Sequence, residues 1–389
     1  MKGMNIMNKL LKALVPAVIL TTTLCFTGCG SNSGTGNTEI KIGEFGPLTG
    51  DSATDGTQAK DGAVLAVEQI NKSGGVLGKK IKLITMDDEA KAPESMSVVQ
   101  KLLQSEKVTA LISGSYSTPT KTVSSVVQQA KTPMVVAYAT NPDITKNGNY
   151  VFRTIYSGDT QGKAVADYAV QDKSLKNFAV LYVNNDYGNG NGEAFISEAK
   201  KLGANVCVSR KFDDGTKDFR SMLTLVKDKN PDAIYIGSYY NEASQICLQA
   251  KELGMNVQIL GDDGFDSPDF LSLAGKSAEG AIFSTPFFRD DPSKNVQDFV
   301  KAYKAKFNKD PDMLSAQAYD SAMLLADAIK RANSTDKDAI RKALSETNDF
   351  NGITGKIKFD KNNEVIKPVI LDIVKDGKFT LLKNQAITK

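Results

Sequence analysis

The sequence predicts an α/β fold of two Rossmann-like lobes with parallel central sheets, joined by a three-strand hinge, and three observations carry that prediction. From residue 39 onward, short runs rich in β-branched and aliphatic residues alternate with segments of helical periodicity. The alternation starts again after residue 155, and 389 residues suffice for two domains. Beyond residue 281 the rhythm breaks, leaving helices and strands that must complete sheets already begun.

In the first stretch, strands are expected at 40–45, 80–86, 108–112 and 133–137, with helices at 60–72, 93–103 and 119–130. Ala63, Ala66, Val67 and Ile70 share one face of the first helix, the spacing of an amphipathic element. The second stretch reads as helices at 161–169, 192–202, 219–228 and 243–253, alternating with strands at 177–183, 205–208, 233–236 and 258–260. The third holds a strand at 281–283, helices at 295–307, 313–331 and 337–345, and antiparallel strands at 356–359, 369–374 and 379–382. The economical arrangement crosses between lobes near 153–158, 284–286 and 351–367. Lobe I is then 39–155 plus 286–352, and lobe II with the hinge crossings is 156–285 plus 353–389. Three crossings make a hinge with a cleft beside it.

Composition removes whole classes of function. The chain has no His and no Trp, which excludes a Ser-His-Asp triad, a Cys-His dyad and a His-based zinc site. Lys2, Lys9 and Lys12 account for the net charge of +3, and the remaining 45 basic residues balance 45 acidic ones. No basic run with interleaved aromatics appears, so nucleic acid is not an expected partner.

Residues 1–28 read as a secretory signal: three lysines, then the uncharged, mostly apolar stretch 13–24, shorter than a membrane span. Thr27-Gly28-Cys29-Gly30-Ser31 resembles a bacterial lipobox, which makes Cys29 the expected lipidation site and 29–38 a small, polar tether. Of the other cysteines, Cys207 falls in a strand-like and Cys247 in a helix-like run, leaving open two free thiols or one disulfide.

Ligands of open parallel sheets sit beyond the carboxyl ends of the strands, so the loops there carry the functional information. Ser113-Gly114-Ser115-Tyr116-Ser117-Thr118-Pro119 places Ser117 or Thr118 to cap a helix, and hydroxyls beside free helix N–H groups favour an anion. Tyr138-Ala139-Thr140-Asn141-Pro142 puts another hydroxyl at a strand exit of the same lobe. In the other lobe, Gly261-Asp262-Asp263-Gly264-Phe265-Asp266 is acidic, suited to an ammonium or to a solvated turn, and it lacks the calcium-loop register. Tyr187 and Tyr239 stand where they can wall a cleft. Gly188, Gly190 and Gly192 imitate part of a dinucleotide turn, but residues 184–187 separate them from the strand and the fingerprint is incomplete. A hydrolase using Asp262 and Asp263 lacks a paired nucleophile. Hydroxyls on one lobe and a carboxylate on the other suit a zwitterion, and an amino acid has that pattern.

With these residues in view, the sequence resembles the type I periplasmic binding proteins of branched-chain amino-acid ABC transporters, the Leu/Ile/Val-binding family. The likeness runs over residues 39–374. Its motifs are Gly43-Glu44-Phe45-Gly46-Pro47-Leu48-Thr49-Gly50, Asn71-Lys72-Ser73-Gly74-Gly75-Val76-Leu77-Gly78, Asp87-Asp88, Ala139-Thr140-Asn141-Pro142, Phe152-Arg153-Thr154, Asp186-Tyr187-Gly188 and Ser277-Ala278-Glu279-Gly280. The resemblance implies a Venus-flytrap fold in which Ser117 and Thr140 hold a ligand carboxylate. Main-chain groups at Tyr138 help, with Ala139 counted beside it. It further implies that Asp263 holds the ammonium and that Tyr187 and Tyr239 close over the ligand.

Two departures bear on specificity. Where family members often carry Tyr before Gly, this chain has Asp55-Gly56, and the stretch facing the ligand side chain reads Gly114-Ser115-Tyr116. Burying an unpaired carboxylate is costly, so either Asp55 points to solvent or the ligand side chain is polar or cationic. Asp55 and Tyr116 therefore join the expected site. The function implied is a lipid-anchored, extracytoplasmic receptor of an ABC importer, delivering an amino acid to a membrane permease and its ATPase. A sensing receptor for amides or amino acids on the same fold is the alternative. No enzyme activity, cofactor or metal is expected, and the chain is expected to be monomeric.

Overall fold

Alternation of side chains across each strand decides which helices cover which face. A computed structural model describes residues 39–385; the signal 1–28 and the tether 29–38 with Cys29 lie outside the described residues. The first stretch forms β1 (Glu39–Gly46), α1 (Ala53–Lys72), β2 (Lys80–Asp87), α2 (Ala92–Gln104), β3 (Ala110–Ser113), α3 (Ser117–Gln129), β4 (Met134–Val136) and β5 (Val151–Arg153). The strands make one parallel sheet in the order β2-β1-β3-β4-β5. On β3, Leu111 packs among Val99, Leu102, Val123 and Val127 beneath α2 and α3. Its neighbours Ala110 and Ile112 face the opposite core with Ala63 and Ala66 of α1.

The second stretch forms α4 (Gly158–Asp167), β6 (Asn177–Val183), α5 (Asp186–Lys201), β7 (Asn205–Phe212), α6 (Arg220–Asp228), β8 (Ala233–Gly237), α7 (Tyr240–Glu252), β9 (Gln258–Gly261), α8 (Pro268–Ala274) and β10 (Ile282–Thr285). Phe178, Val180 and Tyr235 face Phe195 of α5. Ala179, Leu181, Ile234 and Ile236 pack on the other side with Leu223 of α6 and Ile246 of α7.

The third stretch supplies α9 (Lys294–Phe307), α10 (Met313–Ala332), α11 (Lys337–Ser345), β11 (Phe350–Gly352), β12 (Gly355–Ile357), β13 (Val369–Lys375) and β14 (Lys378–Gln385). Helix α10 lies along α1 and under β3 and β4, so it covers the first sheet. The two helices approach so closely that a Cβ on Gly62 would lie 2.0 Å from the Ser315 carbonyl oxygen. The second sheet runs β14-β13-β10-β9-β8-β6-β7 and is mixed: β13 and β14 join its parallel strands antiparallel. The expected strand at 356–359 does not join them. Its first residues pair with β11 in a separate hairpin across residues 352 and 355, because a tight turn there brings the nearer partner.

Other elements depart from the periodicity reading for physical reasons. Helix α1 begins at Ala53 rather than 60, since its first turns are polar and carry no apolar stripe. Strand β5 is three residues long and α8 seven, too short to show a period. Cys207 and Cys247 are both free; the Cys207 thiol donates to the Phe178 carbonyl at 3.3 Å.

The chain passes between the sheets after β5, after β10 and after β12, and Arg153 ties the first pass to the third. Its side chain is fully buried, with Nε 2.9 Å from Glu364 Oε2 and Nη2 paired to the other carboxylate oxygen. Nη1 donates to the carbonyls of Ala139 at 3.2 Å and Asn141 at 2.7 Å. The guanidinium therefore anchors the strand-exit loop that follows β4.

Candidate functional site

The strand exits of both sheets open onto one cleft. Asp55 comes from the first turn of α1, Tyr116 and Ser117 from the start of α3, and Tyr138 from the segment after β4. Tyr187 from α5, Tyr239 from the β8–α7 connection and Asp263 after β9 face them from the second sheet. All seven line the cleft. Ala139 and Thr140 lie behind that lining, Ala139 lending its carbonyl to Arg153. Tyr240, Gly264, Asp266, Ser267, Met313 and Leu314 line it as well. Gly264 and Asp266 stood in a loop read from the sequence without being singled out, and Tyr240 directly follows Tyr239. Met313 and Leu314 open a helix some fifty residues beyond, and nothing local marks them as cleft residues.

Ser117 does not cap α3. The residue preceding the helix is Tyr116, without a side-chain cap, and Ser117 Oγ instead accepts from the backbone N–H groups of Thr140 at 3.2 Å and Asn141 at 3.1 Å. Nor does Thr118 cap it; its carbonyl accepts from Thr122. With two donors on its oxygen, the Ser117 hydroxyl keeps its own proton without an acceptor among the described residues. Ser117 is 1% exposed, so that proton needs a partner from within the cleft. Thr140 Oγ1 is likewise buried with no partner among the described residues.

The acidic loop divides its two carboxyls by role. Tyr187 Oη lies 2.7 Å from Asp262 Oδ1, 2.8 Å from Asp263 Oδ1 and 2.9 Å from the Gly264 N–H. A phenol has one proton, so the two carboxyls share a single donor and neither holds it fully. Burial, followed by the adjacent Asp263 charge, holds Asp262 well above the usual carboxylate range, and Asp262 lies outside the cleft lining that Asp263 joins. Burial pushes Asp263 only up to about 6, so near neutral pH it is the anion. Gly264 closes the turn: a Cβ there would lie 2.3 Å from the Ser238 carbonyl oxygen.

Three tyrosines run along the cleft. Tyr187 and Tyr239 stack at 4.6 Å between ring centroids, and Tyr116 meets Tyr239 at 4.6 Å from the other sheet. Tyr116 donates to Asp55 Oδ2 at 2.5 Å, and Tyr138 donates to the Gly114 carbonyl at 2.6 Å. Asp55 is 6% exposed and does not point to solvent. Burial raises its carboxyl to about 7. Outside the lining, Lys121 of α3 pairs with Asp186 of α5 at 2.8 Å and joins the two walls.

The model of the periplasmic binding protein family matches residues 39–378, nearly the whole described body. The chain belongs to that family. This binding protein is 31% identical to "Leu/Ile/Val-binding protein homolog 3" of Brucella melitensis, over 89% of its own length and 94% of the relative's. It is 29% identical to the "Leucine-, isoleucine-, valine-, threonine-, and alanine-binding protein" of Pseudomonas aeruginosa, over 89% and 92%. Among solved structures, the leucine-binding protein LivK of Thermotoga maritima superposes with a TM-score of 0.85 at 32% identity, covering 89% of this chain and 99% of LivK. The branched-chain amino-acid transporter substrate-binding protein LivJ of Streptococcus pneumoniae, solved in complex with isoleucine, gives 0.83 at 31%, covering 88% and 99%. These relatives are binding proteins, and the chain is one of them rather than an enzyme. Membership carries an extracytoplasmic location and a type I periplasmic binding protein fold.

Proposed function

We propose that this binding protein captures an α-amino acid in the cleft between its sheets and delivers it to the permease of an ABC importer. The observation that carries the reading is the placement of opposite polarities: the unaccepted Ser117 proton on one wall and the buried Asp263 anion on the other. A carboxylate satisfies the first and an ammonium the second. The Leu/Ile/Val-binding names of the relatives support the amino-acid class. Because the two groups belong to different walls, the full binding energy is available only when both touch the ligand. That coupling shifts the protein toward the closed shape the permease would read. The Thr27-Gly28-Cys29-Gly30 stretch supports attachment through a lipid on Cys29.

Calorimetric titration of the full chain, freed of co-purified ligand, tests the ligand class. At least one L-amino acid should bind, while the amine without its carboxylate and the acid without its amino group should each bind at least about tenfold more weakly, each having lost a charge-assisted contact. Equal binding of a molecule lacking either group would refute the zwitterion site.

Affinity should also depend on pH in a defined direction. Burial pushes the Asp263 carboxyl up to about 6, and an ammonium beside it would stabilise the ionised form. The dissociation constant is therefore expected to be flat above neutral pH and to rise toward about tenfold per unit as pH falls below the Asp263 midpoint. Titrations between pH 8 and 5 check this, and a pH-independent constant would remove Asp263 from the ammonium site.

A further inference from the structure

We infer that the side chain of the bound amino acid ends in a second cationic group, an amino or guanidinium head, and that Asp55 selects it. The inference rests on the amino-acid reading above and deepens it. The ligand's α-groups already have partners in that reading, Ser117 and Asp263, so neither needs Asp55. The tyrosine stack shows that Asp55 is a separate subsite. Tyr187 donates to the pair that includes Asp263, Tyr239 stacks on Tyr187, and Tyr116 on the far side of Tyr239 donates to Asp55. Asp55 and Asp263 thus stand at opposite ends of three adjacent rings.

The chemistry at the Asp55 end favours a cation over a hydrocarbon. Asp55 is buried, and its hydrogen-bond partner within the cleft is a phenol rather than a lysine or arginine. No Lys or Arg is found among the described residues that line the cleft, which also holds Asp266. Beside an aliphatic side chain Asp55 would either stay protonated or carry a buried charge with no compensating charge. A terminal cation supplies that charge, and aromatic faces beside it add attraction of their own. The purely aliphatic lining is confined to Met313 and Leu314, enough for the stem of a long side chain.

L-lysine and L-norleucine test this directly, because they share the α-groups and a four-carbon stem and differ in the terminal ammonium. Calorimetry on the full, ligand-free chain should show lysine binding at least about tenfold more tightly than norleucine. Asp55→Asn keeps the size and the contact to Tyr116 and should bring the two ligands within about threefold of each other. Tyr116→Phe keeps the carboxylate and should retain the lysine preference, which separates loss of the charge from damage to the fold. Norleucine or leucine binding as tightly as lysine to the wild-type chain would overturn the inference while leaving the amino-acid reading intact. A lysine preference unchanged in Asp55→Asn would equally overturn the role of Asp55. Failure of every amino acid to bind would sink the amino-acid reading, and this inference with it.

Discussion

Asp263→Asn is expected to weaken amino-acid binding by about two to three orders of magnitude, the usual consequence of removing one member of a buried charge pair. Asn has the same shape and still accepts from Tyr187, so the loop need not rearrange. What disappears is the negative charge that would face the ligand's ammonium. The neighbouring substitution is the control. Asp262 lies outside the cleft lining and accepts from the Tyr187 hydroxyl, and the Asn side-chain carbonyl can accept in the same place. Asp262→Asn should therefore leave the dissociation constant within about threefold of the wild type, a neutral hydrogen bond being exchanged for another. Calorimetry on both variants decides the matter, and equal losses from the two would contradict the division of roles.

Arg153→Met should destabilise the fold by about 3 kcal/mol or more, the cost typical of breaking a buried ion pair from one side. The substitution strips Glu364 of its partner and leaves the carbonyls of Ala139 and Asn141 short of a donor in a fully buried place. Urea unfolding, followed by circular dichroism, should show the lowered midpoint. Arg153→Lys should recover only part of it, because one ammonium cannot span a carboxylate and two carbonyls as a planar guanidinium does. A Met variant as stable as the wild type would show that these contacts contribute nothing net. Since Arg153 holds the loop carrying Thr140, weaker ligand binding is expected alongside the stability loss.

How far the sequence could be read depends on the range of the forces involved. The βα alternation, the strands near 177–183 and the helix at 337–345 were legible because a period is a property of neighbouring residues. The strand exits followed from that order, and seven of the nine expected site residues line one cleft. Short elements escaped for the same reason: β5 and α8 contain less than one informative period. So did the partner of the antiparallel strand expected at 356–359, which pairs through residues 355–357 with β11.

By itself, then, the sequence determined the two-lobed α/β plan, the absence of histidine chemistry and the loops in which polar groups would gather, all of which rest on composition and short-range pattern. Tertiary structure alone decided what those groups do. Ser117 accepts from a loop 23 residues away instead of capping its own helix. Asp55 is buried against Tyr116 instead of solvated, and Asp262 is separated from Asp263 by a phenol that has one proton for two carboxyls. Hydrogen bonding and desolvation are set by whatever the fold places within about 3 Å of an atom, and that neighbour is seldom close in the chain.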